Sequence, residues 1–170
     1  VLLAVLAPVH AHMAMEQPPP RGSKYQPYAT NIDYSITSPT QSMCQGKPAG
    51  PISATLQAGT AVQVTLGGGA PHNGGHCQFS LSYDGGKTFV VLKDVMDTCM
   101  VDSLHYSVPL PATAPGSKRA IFAWSWINAV GNREYYMNCA DVAIKGPANG
   151  KIVGKKMLVA NIPGTPTVPE

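Results

Sequence analysis

Glycine and proline punctuate this chain from end to end: 17 glycines and 16 prolines stand among 170 residues, interleaved with short apolar runs. In a helical bundle these residues would be confined to helix ends. Inside a helix a glycine costs about 1 kcal/mol and a proline about 3 kcal/mol relative to alanine. The punctuation therefore argues for short strands joined by turns. Hydrophobic residues make up 44% of the chain, enough for a core and too much for disorder. The length suits one domain. The net charge is only +3 and no Lys/Arg cluster occurs, so no nucleic-acid partner is expected. No apolar run approaches the ~18 residues of a membrane span.

The apolar runs carry the period of strands. Val62, Val64 and Leu66 alternate within Thr60–Leu66, and Cys77, Phe79, Leu81 and Tyr83 within Cys77–Tyr83. Asp84-Gly85-Gly86-Lys87 reads as a hairpin turn into Thr88–Leu92. His105–Leu110, Arg119–Ile127 and Met137–Ile144 complete the set, with Ala114-Pro115-Gly116 as another turn. Many short strands with Gly/Pro turns predict an all-β antiparallel sandwich. The period of two puts Trp124 and Trp126 on one face, where core packing is preferred over sugar stacking. From His12 to Pro51 the chain is rich in proline and dotted with Tyr25, Tyr28 and Tyr34, without a helical or strand period; long N-terminal loops are expected there.

Residues 1–11, Val-Leu-Leu-Ala-Val-Leu-Ala-Pro-Val-His-Ala, read as the remainder of a secretory signal peptide ending in the cleavage signature Val9-His10-Ala11. Cleavage would leave a mature domain, 12–170, starting at His12, and would make the protein secreted and extracellular. That context permits disulfides. Cys44, Cys77, Cys99 and Cys139 contain no Cys-x-x-Cys pair, which argues against zinc. Four cysteines allow three connectivities. The preferred one is Cys77–Cys99, tying adjacent strands, with Cys44–Cys139, tying the N-terminal loop to a late strand.

Histidine is the informative residue type. A mature N-terminal His12 would offer its α-amine, with an ordinary pKa near ~8, and its imidazole to one metal ion. His72 lies in the Gly-rich segment Gly67–His76, read as a loop between two strands. One amine and two imidazoles suit copper, since Cu(II) favours nitrogen donors in a tetragonal array. His76 is a neighbouring donor, a stray or an alternative ligand, and His105 reads as structural. Glu134 and Tyr136 are two apart, so an extended chain points them the same way. Away from a metal such a pair is a surface hydrogen bond; beside one it can orient an oxygen ligand.

Several segments together resemble the fungal chitin-active lytic polysaccharide monooxygenases of auxiliary activity family 11. They are His12-Met13-Ala14-Met15 before the proline run, Ala70-x-His72-Asn73-Gly74-Gly75-x-Cys77-Gln78, and Ser80-x-Ser82-Tyr83-Asp84. The most specific is Ala123-Trp124-Ser125-Trp126-x-Asn128-x-x-Gly131-Asn132-Arg133-Glu134-x-Tyr136-Met137-Asn138-Cys139-Ala140. Met157-Leu158-Val159-Ala160-Asn161 resembles the end of that family's catalytic domain, so the tail is read as part of it. The match spans nearly the whole mature chain.

The resemblance implies an immunoglobulin-like β-sandwich with a flat copper face. It puts the histidine brace on His12 and His72, the axial tyrosine on Tyr136, a carboxylate near the copper on Glu134, and a small residue that shapes axial access on Ala70. It implies one copper ion cycling between Cu(II) and Cu(I), with hydrogen peroxide, or O2 and a reductant, as co-substrates. The partners it implies are a polysaccharide, chitin first, and an external electron donor; the enzyme would be a monomer. Three departures stand out: His76 where the family often has a smaller polar residue, Pro19-Pro20-Arg21 in place of an aromatic ending, and no cysteine near Asn161. The competing readings are a non-catalytic brace protein that only binds copper, a monooxygenase acting on cellulose or another cell-wall glycan, and a carbohydrate-binding or cell-wall structural module.

Overall fold

Val62, Val64 and Leu66 are buried while their neighbours Ala61 and Gln63 are exposed, the alternation expected of a strand with one face on a core. That core lies between two sheets. In a computed structural model of the chain the described residues are 12–23, 36 and 43–169. The expected leader, 1–11, and Tyr25, Tyr28 and Tyr34 lie outside them. Eight strands run in chain order as β1 (Met13–Gln17), β2 (Ala54–Gln57), β3 (Ala61–Gly68), β4 (Gly75–Ser82), β5 (Val90–Val95), β6 (His105–Pro109), β7 (Ser117–Asn128) and β8 (Tyr135–Lys145). One sheet has the order β1-β3-β6 and the other β2-β8-β7-β4-β5. The all-β sandwich read from the sequence is present.

Three readings need correction. The stretch from His12 to Pro51 shows no strand period, yet Met13 and Met15 are buried and β1 pairs antiparallel with β3. Two buried methionines before a proline run are too short a pattern to register as a period. The sheets are not wholly antiparallel: β2, four residues absent from the expected set, pairs parallel with β8. Gly67 and Gly68 belong to β3 rather than to a loop, because they pair with Ala14 and Met13 of β1.

Phe79 of β4 meets Tyr106 of β6 across the sandwich, ring centroids 5.1 Å apart. Trp124 and Trp126 are each 1% exposed and stack at 6.0 Å, so both are core side chains. The outer face of the five-stranded sheet is also covered. Met157, Ala160 and Ile162 of the tail pack there with Ile121, Tyr135 and Met137. Met157 N–H donates to Phe89 O at 3.1 Å and Val91 N–H to Lys155 O at 2.8 Å, which fastens the tail to the sheet. Cover on both faces explains why β7 is buried without a break from Ala120 to Asn128. Both expected disulfides are present: Cys77–Cys99, with Cα atoms 5.8 Å apart, and Cys44–Cys139, at 5.3 Å.

Candidate metal centre

His12 immediately precedes β1, and the end of β3 fixes its position. Gly69 N–H donates to His12 O at 3.3 Å. Gly68 has φ +142°, and a Cβ there would lie 2.2 Å from His12 O and 2.8 Å from Met13 Cα. Only glycine allows that close approach. On its other side β1 is tied to β8, where Asn138 Oδ1 accepts from Met15 N–H at 2.6 Å.

His72 sits at a tight turn. Gly74 N–H donates to Pro71 O at 2.8 Å, and both central residues, His72 (φ 46°) and Asn73 (φ 55°), are left-handed. That is the pattern of a type I′ turn. The turn docks on the β7–β8 loop through Val130 N–H to His72 O at 3.3 Å and Ala129 N–H to Gly74 O at 3.0 Å. Trp126 Nε1 also donates to Gly74 O, at 3.0 Å.

The β7–β8 loop is built around Asn128, which is 1% exposed. Its Nδ2 donates to Val130 O at 2.8 Å and Asn132 O at 2.7 Å, and its Oδ1 accepts from Glu134 N–H at 2.9 Å. This delivers Glu134 beside Tyr136, whose hydroxyl donates to Glu134 Oε2. Burial, and then the bond to Glu134 and its negative charge, push the Tyr136 hydroxyl well above the usual phenol range. The phenol is thus neutral across the physiological range.

Trp126 joins the parts. Its ring lies 4.8 Å from that of Tyr136 and 6.0 Å from that of His72, while Tyr136 is 6.1 Å edge-on from His12. Two imidazoles about 60 residues apart in the sequence thus flank one Trp–Tyr pair, with a carboxylate on the tyrosine. Ala70 lies in the loop between Gly68 and His72, half-buried. His76 is not brought into this group. It pairs with Ile127 in the strand register, one step out of phase with Cys77 and Trp126, and its Nδ1 accepts from Asp97 N–H at 3.1 Å. His105 stands exposed at the start of β6 with its Nδ1 3.3 Å from Thr65 Oγ1. Gly68, Asn128 and Asn138 hold the group together, and little in the sequence marks them for that role. A glycine at a strand end and an asparagine closing a strand were the only signals.

Among the described residues no three His, Cys, Asp or Glu side chains gather at one point. A metal here would rest on two imidazoles, the main-chain nitrogen of His12 and the neutral phenol. Nitrogen donors of this kind fit copper far better than Ca²⁺ or Mg²⁺, which take oxygen ligands.

The fold is that of a lytic polysaccharide monooxygenase. The crystal structure of HiLPMO9B superposes with a TM-score of 0.55 at 16% identity, over 70% of this chain and 65% of that one. Sequence relatives narrow the class. The AA11 family lytic polysaccharide monooxygenase A of Aspergillus fumigatus is 42% identical over 166 residues, 89% of this chain and 75% of that protein. The B protein of the same species and an AA11 family lytic polysaccharide monooxygenase of Aspergillus oryzae are each 29% identical. The chain spans only 46% and 45% of their lengths. No protein-family model matches the chain. The chain belongs to the AA11 family of lytic polysaccharide monooxygenases.

Proposed function

We propose that this chain is a secreted, copper-dependent monooxygenase that oxidatively cleaves the glycosidic bonds of chitin. The observation that carries this reading is the convergence of His12 and His72 on the Trp126–Tyr136 pair, with Glu134 on the tyrosine hydroxyl. His12, through its ring and a freed α-amine, and His72, through its ring, would hold the ion. The proposal requires cleavage between Ala11 and His12, since a peptide nitrogen at His12 is a poor donor. Copper so bound would supply one-electron chemistry with hydrogen peroxide, or with O2 and an external electron donor.

The chain's own residues do the rest. Tyr136 stays protonated and closes one side of the site with a weak donor. Glu134 is anchored at its main-chain N–H by Asn128 and at its carboxylate by Tyr136, so it can place a hydrogen bond to a bound oxidant without reorganising. Val101, Leu104 and Val130 are exposed apolar side chains on loops near the histidines. They provide a surface for the apolar faces of sugar rings. A surface of this kind suits an insoluble polymer, and one copy of the chain supplies every proposed ligand, in keeping with a monomer.

The decisive experiment is mass spectrometry of soluble products from β-chitin, using protein secreted with His12 free, copper-loaded and given ascorbate, beside a copper-free control. Oxidised chitooligosaccharides that appear only with copper are the expected result. Their absence from chitin and appearance from cellulose would reassign the substrate. Their absence from every glycan, with copper still tightly bound, would overturn the enzyme reading in favour of a copper-binding protein.

A further inference from the structure

A cavity of about 530 Å³ opens beside the histidine pair, and its wall includes Met13 and Pro71, the chain neighbours of His12 and His72. More of the wall comes from the loop between β5 and β6, through Val101, Asp102 and Leu104. All three are exposed, Val101 at 56% and Leu104 at 37%, so a ligand can reach them. Asp102 is the one carboxylate on the wall, and it enters no hydrogen bond or ion pair among the described residues. The loop is held in place without a ligand. Cys99 ties it to β4 through Cys77. The Tyr106 hydroxyl accepts from Met100 N–H at 2.7 Å and donates to Ser103 O at 2.8 Å. Leu104 O accepts from Leu66 N–H of β3 at 2.8 Å.

A polysaccharide laid across the histidine pair also covers this cavity, because the two share walls one residue from each histidine. The wall offers two things: apolar side chains, which reward the burial of a methyl group, and one carboxylate with unspent acceptor capacity, which favours a hydrogen-bond donor. An acetamido group carries both, a methyl and an N–H, within one small substituent. The hydroxyl of a glucose unit would satisfy Asp102 but bring no methyl to Val101 and Leu104. We infer that this cavity is the subsite that selects N-acetylated sugars, with the acetamido methyl against Pro71, Val101 and Leu104 and its N–H donating to Asp102. The inference rests on the monooxygenase reading for the approach of the polymer and adds the residues that read its substituent. Because the loop is already fixed, little ordering is lost when the sugar binds.

NMR of the methyl-labelled, metal-free full chain tests this, reading the Val101 and Leu104 methyl signals against two soluble probes, the hexamers of N-acetylglucosamine and of glucose. The N-acetylated hexamer should move both signals in a saturable way and bind about tenfold more tightly than the glucose hexamer, the low end of what one small apolar group gains in an apolar pocket. Val101→Ser should erase most of that preference, and Asp102→Ala should weaken both hexamers. Both positions are exposed, so both variants should fold. Copper affinity by calorimetry should be the same in both, which separates a lost subsite from a disturbed metal site. Val101 and Leu104 signals that stay still would overturn the subsite. Equal binding of the two hexamers, beside oxidised products from chitin, would overturn the subsite and leave the monooxygenase reading. A clear preference for the N-acetylated hexamer, lost in Val101→Ser, would support the subsite even where no glycan yields oxidised product and the monooxygenase reading falls.

Discussion

At the scale of single residues, Gly68 makes the sharpest prediction. A methyl group there meets His12 O at 2.2 Å, and φ +142° is strained for any L side chain. Gly68→Ala must push β1 away from β3, and His12 moves with it. The expected loss is about 2–3 kcal/mol of stability, with weaker copper binding by calorimetry. Unchanged copper affinity in a folded Gly68→Ala protein would mean that His12 is not a ligand. A second prediction concerns the nitrogen of His12. Outer-sphere changes alone cost metal sites 10- to 100-fold in affinity. A chain that keeps Ala11 should therefore bind copper more than about a hundredfold more weakly than one that begins at His12. Equal affinity would sink the role of the amine. His12 and His72 were legible as candidate ligands because histidine is scarce here and their contexts are unusual. Gly68 was not, since one glycine in a run of three looks like loop until its strand partner is known. Of the three readings open for His76, the strand favours the one without a role at the metal: proximity in sequence to His72 says nothing once a strand begins at Gly75 and sends its side chains to alternate faces.

At the scale of elements, the site depends on the β7–β8 connection. Asn128 spends its side chain on Val130 O, Asn132 O and Glu134 N–H, all within six residues. Each bond contributes about 0.5–1.5 kcal/mol net, so Asn128→Ala should destabilise by about 2–4 kcal/mol. It should also free Glu134 to wander, so the yield of oxidised product should fall even in a protein that remains folded at the assay temperature. Thermal unfolding and product yield, measured on the same sample, check both halves. A variant with reduced stability and full yield would show that Glu134 needs no anchoring. The strands from β3 to β8 were largely legible, since alternation and turn residues agree along them. The Asp84 turn is one case: its carboxylate accepts from Ser82 Oγ, Lys87 N–H and Thr88 N–H, closing the bend that the sequence announces. β1 and β2 escaped because each is short and sits at a sheet edge, held by its neighbour's register rather than by a pattern of its own. The parallel pairing of β2 with β8 is a property of chain path, which local periodicity does not encode.

At the scale of the whole molecule, the N-terminal segment that carries His12 must be fastened to the five-stranded sheet, and a buried ion pair does this. Asp141 on β8 is fully buried. Its carboxylate accepts from Arg21 Nε and Nη2, both at 2.7 Å, and from Gly50 N–H at 2.8 Å, with Arg119 Nη1 at 3.1 Å. Arg21 N–H also donates to Cys139 O at 2.8 Å, beside the Cys44–Cys139 bridge. Burial alone would push the Asp141 carboxyl up; the hydrogen bonds from Arg21 and Gly50 and the charge of Arg21 outweigh it and leave the group below its ordinary value. A carboxyl depressed by folding contributes stability that is complete above its unfolded pKa, near ~3.9, and is lost as pH falls through the folded value. The protein should therefore hold its stability at neutral pH and lose it in acid, below about pH 4. Asp141→Asn separates the two effects. At pH 7 it leaves Arg21 buried without its counter-charge and should cost about 3–5 kcal/mol. In acid the same variant has one fewer group to protonate, so its stability should fall less steeply than that of the wild type. Denaturant unfolding at pH 7 and pH 3 on both proteins measures this, and parallel acid slopes would refute the pairing. Because Arg21 follows β1 by only four residues, the loosened segment should also carry His12 with it. Copper affinity at pH 7 should then drop in Asp141→Asn although that residue touches no proposed ligand, which would make the fastening of the N-terminal segment part of the metal site itself.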